Sequence, residues 1–339
     1  MLFRSWIALE MLYSSAFSSR MVMQSACDAR QFAAISTPVS AWVERSEGKI
    51  SAVLLFRRTG VLVQVLNEVI HVEASLLDRF AQAVFRRDPQ ARMVRLHAIC
   101  LDNGTVQVPM MRSVFSEDYV LDLPPDHERW MASLSRQTRE KIRYHLRRSF
   151  RRQPGLSFNV THAAGIADSE VRAVLDLNRQ RMQRKGKVYG MSETDEQQLC
   201  EQMKVNGWLC ALRLDGEICA GLLCSVVGSE VTMHVIAHDP RHDDLRLGLL
   251  CCCLSIRHAI EQRMTRFHFL WGHYDYKRKL GGQPWPLCRV LLLRSAWELL
   301  RHPLLSAGWL SLAASDALRR WHTRRLASKT DRPSKEQTC

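Results

Sequence analysis

Three strand-like runs in succession, with turn signals between them and a long apolar segment behind, constrain this chain more than any other feature. WLCALRLD (208–215) turns at Asp215-Gly216 into EICAGLLCSVVG (217–228), which turns at Gly228-Ser229 into EVTMHVIAHDP (230–240). Glycine beside a small polar residue is hairpin chemistry, because such turns need positive φ values that a Cβ resists. A loop then leads to Leu247–Arg263, whose length and apolar character predict a helix, and to TRFHFLWG (265–272), a further strand. CRVLLLRS (288–295) closes the strand series. A meander followed by a helix and another strand points to an α+β fold, a mixed sheet flanked by helices.

The segments upstream fit the same class. LSFNVTH (156–162) reads as a strand, Asp168–Gly186 as a helix capped by Asp168 or Ser169, and Thr194–Lys204 as a second helix. Nearer the N-terminus, KISAVLLFRR (49–58) and VLVQVLNEVIHV (61–72) flank Thr59-Gly60 as a hairpin pair. Ser75–Arg87 has helical spacing, with Ser75 as candidate cap, and MVRLHAIC (93–100) resembles another strand. After Pro124-Pro125 a helix starts near Asp126 and carries the densest basic run, eight Lys or Arg between Arg136 and Arg152 opposed only by Glu140. Leu134, Thr138, Ile142, Leu146 and Phe150 recur every four residues, which predicts a core-facing stripe under a basic outer face. Gln153-Pro154-Gly155 stops the helix and marks the expected domain boundary.

A chain of 339 residues suits two domains better than one. Forty-eight Lys and Arg against 34 Asp and Glu leave +14, which favours anionic partners without choosing among nucleic acid, membrane surface and phosphate-bearing ligand. Eleven cysteines, three of them consecutive at 251–253, form no CxxC pair and no zinc-like spacing with histidine. They are expected to be reduced, buried thiols, and no metal site is expected. The N-terminal MLFRSWIALEM is interrupted by Arg4 and Glu10, and the uncharged stretch before Asp316 is about half a membrane span. These features predict a cytoplasmic, soluble protein. The C-terminal AWELLRHPLLSAGWLSLAASDALRRWHTRRL (296–326) reads equally as a packing element, a dimer contact or an amphipathic segment lying on the inner face of the membrane.

The element order from 156 to 272 matches the GNAT acyltransferase fold, and particular segments extend the likeness. SEDYVLDLP (116–124), LSRQTREKIRYHLRR (134–148), LRLDGEICAGLL (212–223), LRLGLLCCCLSIRHAIE (245–261) and FHFLWGHYDYKRKLGG (267–282) resemble the bacterial acetyltransferases associated with cellulose biosynthesis, the CelD/BcsL-like group, itself related to FemAB transferases. The resemblance covers roughly residues 40–295 and implies two tandem GNAT-like halves. It gives an N-terminal segment 1–40, a degenerate half at 41–153, an acyltransferase half at 154–298, and a helical segment with a polar tail at 299–339. It also implies acetyl-CoA as the donor substrate and a saccharide or cell-envelope acceptor.

Acyl transfer from a thioester needs a phosphate site and a base, since an amine acceptor is protonated in water. The donor is expected along Val235 and Ile236, with its pyrophosphate at the turn bearing Arg241, Arg246, Leu247 and Gly248, where a helix N-terminus faces the anion. That turn has one glycine where the GNAT signature has two, and its Asp243 and Asp244 oppose phosphate. It reads equally as a plain helix start. His273, Asp275, Tyr276 and Lys277, massed beyond a strand end, are candidate catalytic residues, with the Tyr276-Lys277 pair matched to the family. His238 at a strand end joins them, whereas His234 within the strand reads as a core histidine. Arg139 and Arg143 share a helix face and are candidate substrate contacts, although such runs are commonly solvated faces. Two rival functions stand beside the acyl-CoA reading: an aminoacyltransferase using charged tRNA, and a non-catalytic basic adaptor at a membrane surface.

Overall fold

The computed structural model describes residues 2–3, 39–47, 49–272 and 274–330. The described residues divide into two compact units, one holding 2–3, 39–117 and 286–330, the other 118–285. The stop at Gln153–Gly155 lies inside the second unit, so the basic helix before it belongs with the meander that follows.

In the first unit, β1 (Leu2–Phe3), β2 (Ser40–Ser46), β3 (Lys49–Thr59) and β4 (Leu62–Val65) form an antiparallel run. Helix α1 (Ala74–Arg87) follows, and β6 (Met93–Leu101) then lies parallel to β4, with Leu62 opposite Met93. The second half of the expected hairpin is not one strand. It breaks after Val65, where Val69 takes a left-handed φ of 54° and buried Asn67 accepts a 2.7 Å hydrogen bond from the Leu55 N–H. The chain resumes as β5 (Ile70–Val72), which rejoins β6 with Ile70 opposite Ile99. Glu73, not Ser75, occupies the α1 N-cap, and the Ala74 N–H is satisfied by Asp102 Oδ1 at 3.0 Å. Strands β7 (Met110–Asp122) and β13 (Gln283–Leu293) complete this sheet beside β6.

In the second unit, the helix expected from Asp126 is two. Asp126 caps α2 (His127–Ser133), and after a break at Leu134 the Ser135 side chain caps α3 (Arg136–Arg152). The predicted stripe is only partly realised: Leu134 lies in the break, Ile142 is buried, and Phe150 is exposed. Strand β8 (Leu156–His162), helix α4 (Asp168–Arg184) and helix α5 (Glu193–Asn206) come next. Helix α4 has Ala167 at its N-cap, so Asp168 and Ser169 lie within it, and Glu170 accepts from the Ala167 N–H. The predicted meander is β9 (Gly207–Leu214), β10 (Glu217–Val227) and β11 (Glu230–His238). A 3-10 turn (Pro240–Leu245) leads into α6 (Leu247–Glu261), and β12 (Arg266–Trp271) returns parallel to β11. The short α7 (Asp275–Lys279) follows. Helix α6 is buried on nearly every side, which explains its unbroken apolar composition. Cys251, Cys252 and Cys253 lie inside it as free thiols that burial pushes to high pKa, small apolar groups rather than nucleophiles.

Both units therefore share one order: a three-stranded meander, a helix, and a strand parallel to the third. They differ in what happens beyond the first parallel pairs. In the first unit β5 closes the gap. In the second, β11 and β12 pair only from Glu230–Arg266 to Thr232–His268, while β11 stays bonded to β10 as far as His238. A bulge at His234, where Leu223 faces Val235 but Cys224 faces Met233, accompanies the parting. Buried His268 holds the closed end together. Its Nδ1 lies 2.6 Å from Asp118 Oδ2 on β7, and its Nε2 lies 3.1 Å from Glu230 Oε2 on β11.

Candidate active site

The parting of β11 and β12 opens on a cavity of about 620 Å³ within the second unit. That volume suits a cofactor-sized ligand. Period-two alternation along β11 turns Ile236 and His238 toward the cavity and packs Val235 and Ala237 against the opposite layer of α4 and α5. Helix α6 presents Arg246, Gly248 and Leu249 from its first turn, and α7 presents Asp275, Tyr276 and Lys279. One wall is the inner face of α3, with Thr138, Lys141 and His145, and α4 contributes Arg181.

Arg246, the α6 N-cap, sits in the left-handed region (φ 56°, ψ 36°). This costs a non-glycine residue about 1 kcal/mol and turns the chain so that the helix's first N–H groups, which lack intrahelical partners, face outward. A Cβ placed on Gly248 would stand 2.9 Å from His238 Nδ1, so the lone glycine of the turn makes room for that ring. His238 Nε2 is held 2.8 Å from Asp243 Oδ1. The acidic pair expected to oppose phosphate is drawn off: Asp243 faces His238 and Arg184, and Asp244 faces Arg148 and Arg152. Four cationic side chains, Lys141, Arg181, Arg246 and Lys279, then line the cavity against the single carboxylate of Asp275.

His145 stands among these cations. Burial lowers its pKa, and Arg246, Arg148 and Lys141 lower it further. Its Nδ1 is buried and has no hydrogen-bond partner among the described residues. Tyr276 is pushed the other way, its phenol raised well above the usual range by burial, so it keeps its proton. The Arg181 guanidinium donates to the Ile236 carbonyl at 3.1 Å, fixing a cation beside the unpaired edge of β11.

Of the residues the sequence singled out, the structure gathers Ile236, His238, Arg246, Gly248, Asp275 and Tyr276 around one cavity. Others stand elsewhere. Val235 and Leu247 are buried in the core, and Arg241 is folded onto Asp239, its Nε and Nη2 both donating to Oδ2. Lys277, expected to hold a phosphate or carboxylate, is 2 % exposed. Its Nζ donates to the Leu270 carbonyl at 2.8 Å between the rings of Tyr119 and Tyr274. Arg139 donates to the Met131 and Ala132 carbonyls at the end of α2, and Arg143 is exposed outside the cavity lining. His234 bonds Ser225 Oγ at 2.8 Å within the sheet. His273 lies outside the described residues. Lys141, His145, Arg181 and Lys279 are cavity residues that the sequence reading did not single out.

Comparison with known proteins bears on the same segment. Residues 136–278 match the family described as an acetyltransferase (GNAT) domain. A search of curated proteins found no match. Among solved structures, FemX is similar with a TM-score of 0.61 at 9% identity, over 88% of this chain and 99% of that one. L-PGS from Bacillus licheniformis is similar with a TM-score of 0.53 at 12% identity, over 88% of this chain and 95% of that one. The C-terminal domain of a putative lysylphosphatidylglycerol synthetase from Agrobacterium fabrum gives 0.50 at 13% identity, over 88% and 92%. At these identities the structural likenesses describe the fold. Most of the cavity lining, from Gln137 to Tyr276, falls within the segment 136–278 that is similar to the GNAT acetyltransferase domain.

Proposed function

We propose that the second unit transfers an acyl group from acyl-CoA, acetyl-CoA first among donors, to an amine or hydroxyl. The observation that carries this reading is the parting of β11 and β12 onto a cationic cavity at the α6 N-terminus. The donor's phosphates meet Arg246, the N–H groups of the first α6 turn and Lys141, where charge and helix dipole act together. Its amide-bearing arm runs along the unpaired edge of β11 beside Ile236. The acceptor attacks the thioester carbonyl, the carbon–sulfur bond breaks, and the CoA thiolate leaves. His145, held neutral in a basic surrounding, takes the acceptor's proton, and the protonated Tyr276 phenol hydrogen-bonds the leaving thiolate, which takes its proton from solvent. The first unit then serves as the degenerate half: β5 fills its notch and Asp102 takes the α1 N-terminus that an anion would use. The acceptor is a saccharide or another cell-envelope component, as the resemblance to the cellulose-associated group implies.

A second reading, an aminoacyltransferase using charged tRNA, is favoured by the outer face of α3. Arg136, Arg143, Arg147 and Arg151 are exposed there without lining the cavity. Release of free thiol from acetyl-CoA across a panel of amino sugars, peptides and oligosaccharides tests the first reading. Acceptor-dependent release supports it. No release with any acceptor, together with salt-sensitive binding of aminoacyl-tRNA, overturns it in favour of the second.

A further inference from the structure

The last helices of the first unit invert the usual arrangement. Helix α9 (Pro303–Thr330) is preceded by the single turn α8 (Glu298–Arg301). It is anchored by Trp309, which packs with Met93, Leu291 and Leu293 of the sheet. The side it buries is partly polar: Ser306 bonds the Leu299 carbonyl at 2.8 Å, and Asp316 is buried in an ion pair with Arg289. The side it turns outward is apolar. On it Leu304 is 88% exposed, and Leu310, Leu312 and Leu318 are exposed as well; just before it, Leu300 of α8 is 71% exposed and Trp297, the α8 N-cap, 68%. Between 303 and 318 the only charged residue is Asp316, which faces inward. A solvated helix carries its charges on that outward side, and large exposed apolar side chains gathered on one short stretch of chain mark a binding face.

The charge pattern selects the occupant. Immediately after the uncharged stretch, residues 319–330 contain Arg319, Arg320, Arg324, Arg325 and Lys329 and no acid, in a chain of net charge +14. A second copy would bring the same cationic segment with it, whereas an anionic lipid surface satisfies both the leucines and the arginines. No helix among the described residues is long and apolar enough to cross a membrane, so the segment would lie along the surface. We propose that α8 and α9 dock the protein on an anionic lipid bilayer, with Trp297, Leu300, Leu304 and Leu310 entering the interface and the basic run meeting the headgroups. This inference uses no cavity residue and stands or falls apart from the acyl-transfer reading.

The test is sedimentation of the full chain with vesicles of phosphatidylglycerol and phosphatidylcholine, against phosphatidylcholine alone. The expected result is binding to the anionic vesicles, weaker by on the order of tenfold for Arg324→Gln with Arg325→Gln. Binding should be abolished by Leu304→Glu with Leu310→Glu. Both leucines are exposed, so that variant should keep the wild-type circular dichroism and melting temperature. Equal binding to neutral vesicles, or undiminished binding by the leucine variant, overturns the proposal. So does absence of vesicle binding, whether the protein is monomeric or forms a dimer that the same variant dissolves.

Discussion

Gly248 and His238 share one space: a methyl group on the glycine would come within 2.9 Å of the histidine ring. The ring is itself held by Asp243, so it has little room to yield. Gly248→Ala should push His238 off Asp243 and into the cavity. The overpacking cost is about 1–3 kcal/mol, so the melting temperature should fall by a few degrees, and the displaced ring should weaken acetyl-CoA binding as well. Calorimetric titration beside a thermal melt separates the two.

His145 should set the acidic limb of the pH–rate profile. Its pKa is lowered by burial and by Arg246, so the neutral base persists below the usual histidine range and the limb should fall there. His145→Gln should remove that limb and reduce kcat by roughly 10²–10⁴-fold. Arg246→Ala should move the limb upward, because a cation that opposed protonation is gone. An unchanged limb in both variants would assign the base elsewhere.

Lys277 supplies a stability prediction of definite sign. Burial lowers its pKa to about 8 from 10.5. Between these values the unfolded chain binds more protons than the folded one, so stability rises with pH across the window, by about 3 kcal/mol in full. Lys277→Met removes this dependence. The stability of the variant relative to wild type should therefore be highest near pH 7 and decline toward pH 10, as measured by urea denaturation at each pH.

His234 behaves in the complementary range. Burial lowers its pKa to about 4 from 6.5, so the folded state resists the proton that the unfolded chain accepts. Stability is complete above pH 6.5 and is lost as pH falls toward 4, again by about 3 kcal/mol. In His234→Gln the loss between pH 6.5 and 4.5 should be smaller than in wild type, read from denaturation midpoints.

The meander, the long helix and the returning strand were legible because their signals are local: turn glycines at 216 and 228, strand-length apolar runs, and a buried helix without polar interruption. Part of the cavity was legible for the same reason, since Ile236, His238, Arg246 and Gly248 follow from a strand end and a helix start. The rest depended on which side of an element faces inward. On α3 the four-residue spacing of Arg139 and Arg143 within the basic run drew attention to those two, yet Lys141 and His145 reach the cavity. Lys277, expected at the site, is buried beside Tyr274, whereas Arg181, which carried no expectation, reaches the cavity from a helix distant in sequence. The break between α2 and α3 was readable in Ser135 and Thr138, a cap within what seemed a continuous helix. The parting of β11 from β12 was not, because it is a relation between strands far apart in sequence.

Calorimetric titration of the full chain with acetyl-CoA, repeated on Arg246→Ala, tests the central claim most directly. Saturable binding with one site per chain, weakened at least tenfold in the variant, is the predicted result; the variant's loss corresponds to about 1.4 kcal/mol. Absence of binding to wild type, or equal affinity in the variant, would contradict a donor site at the α6 N-terminus.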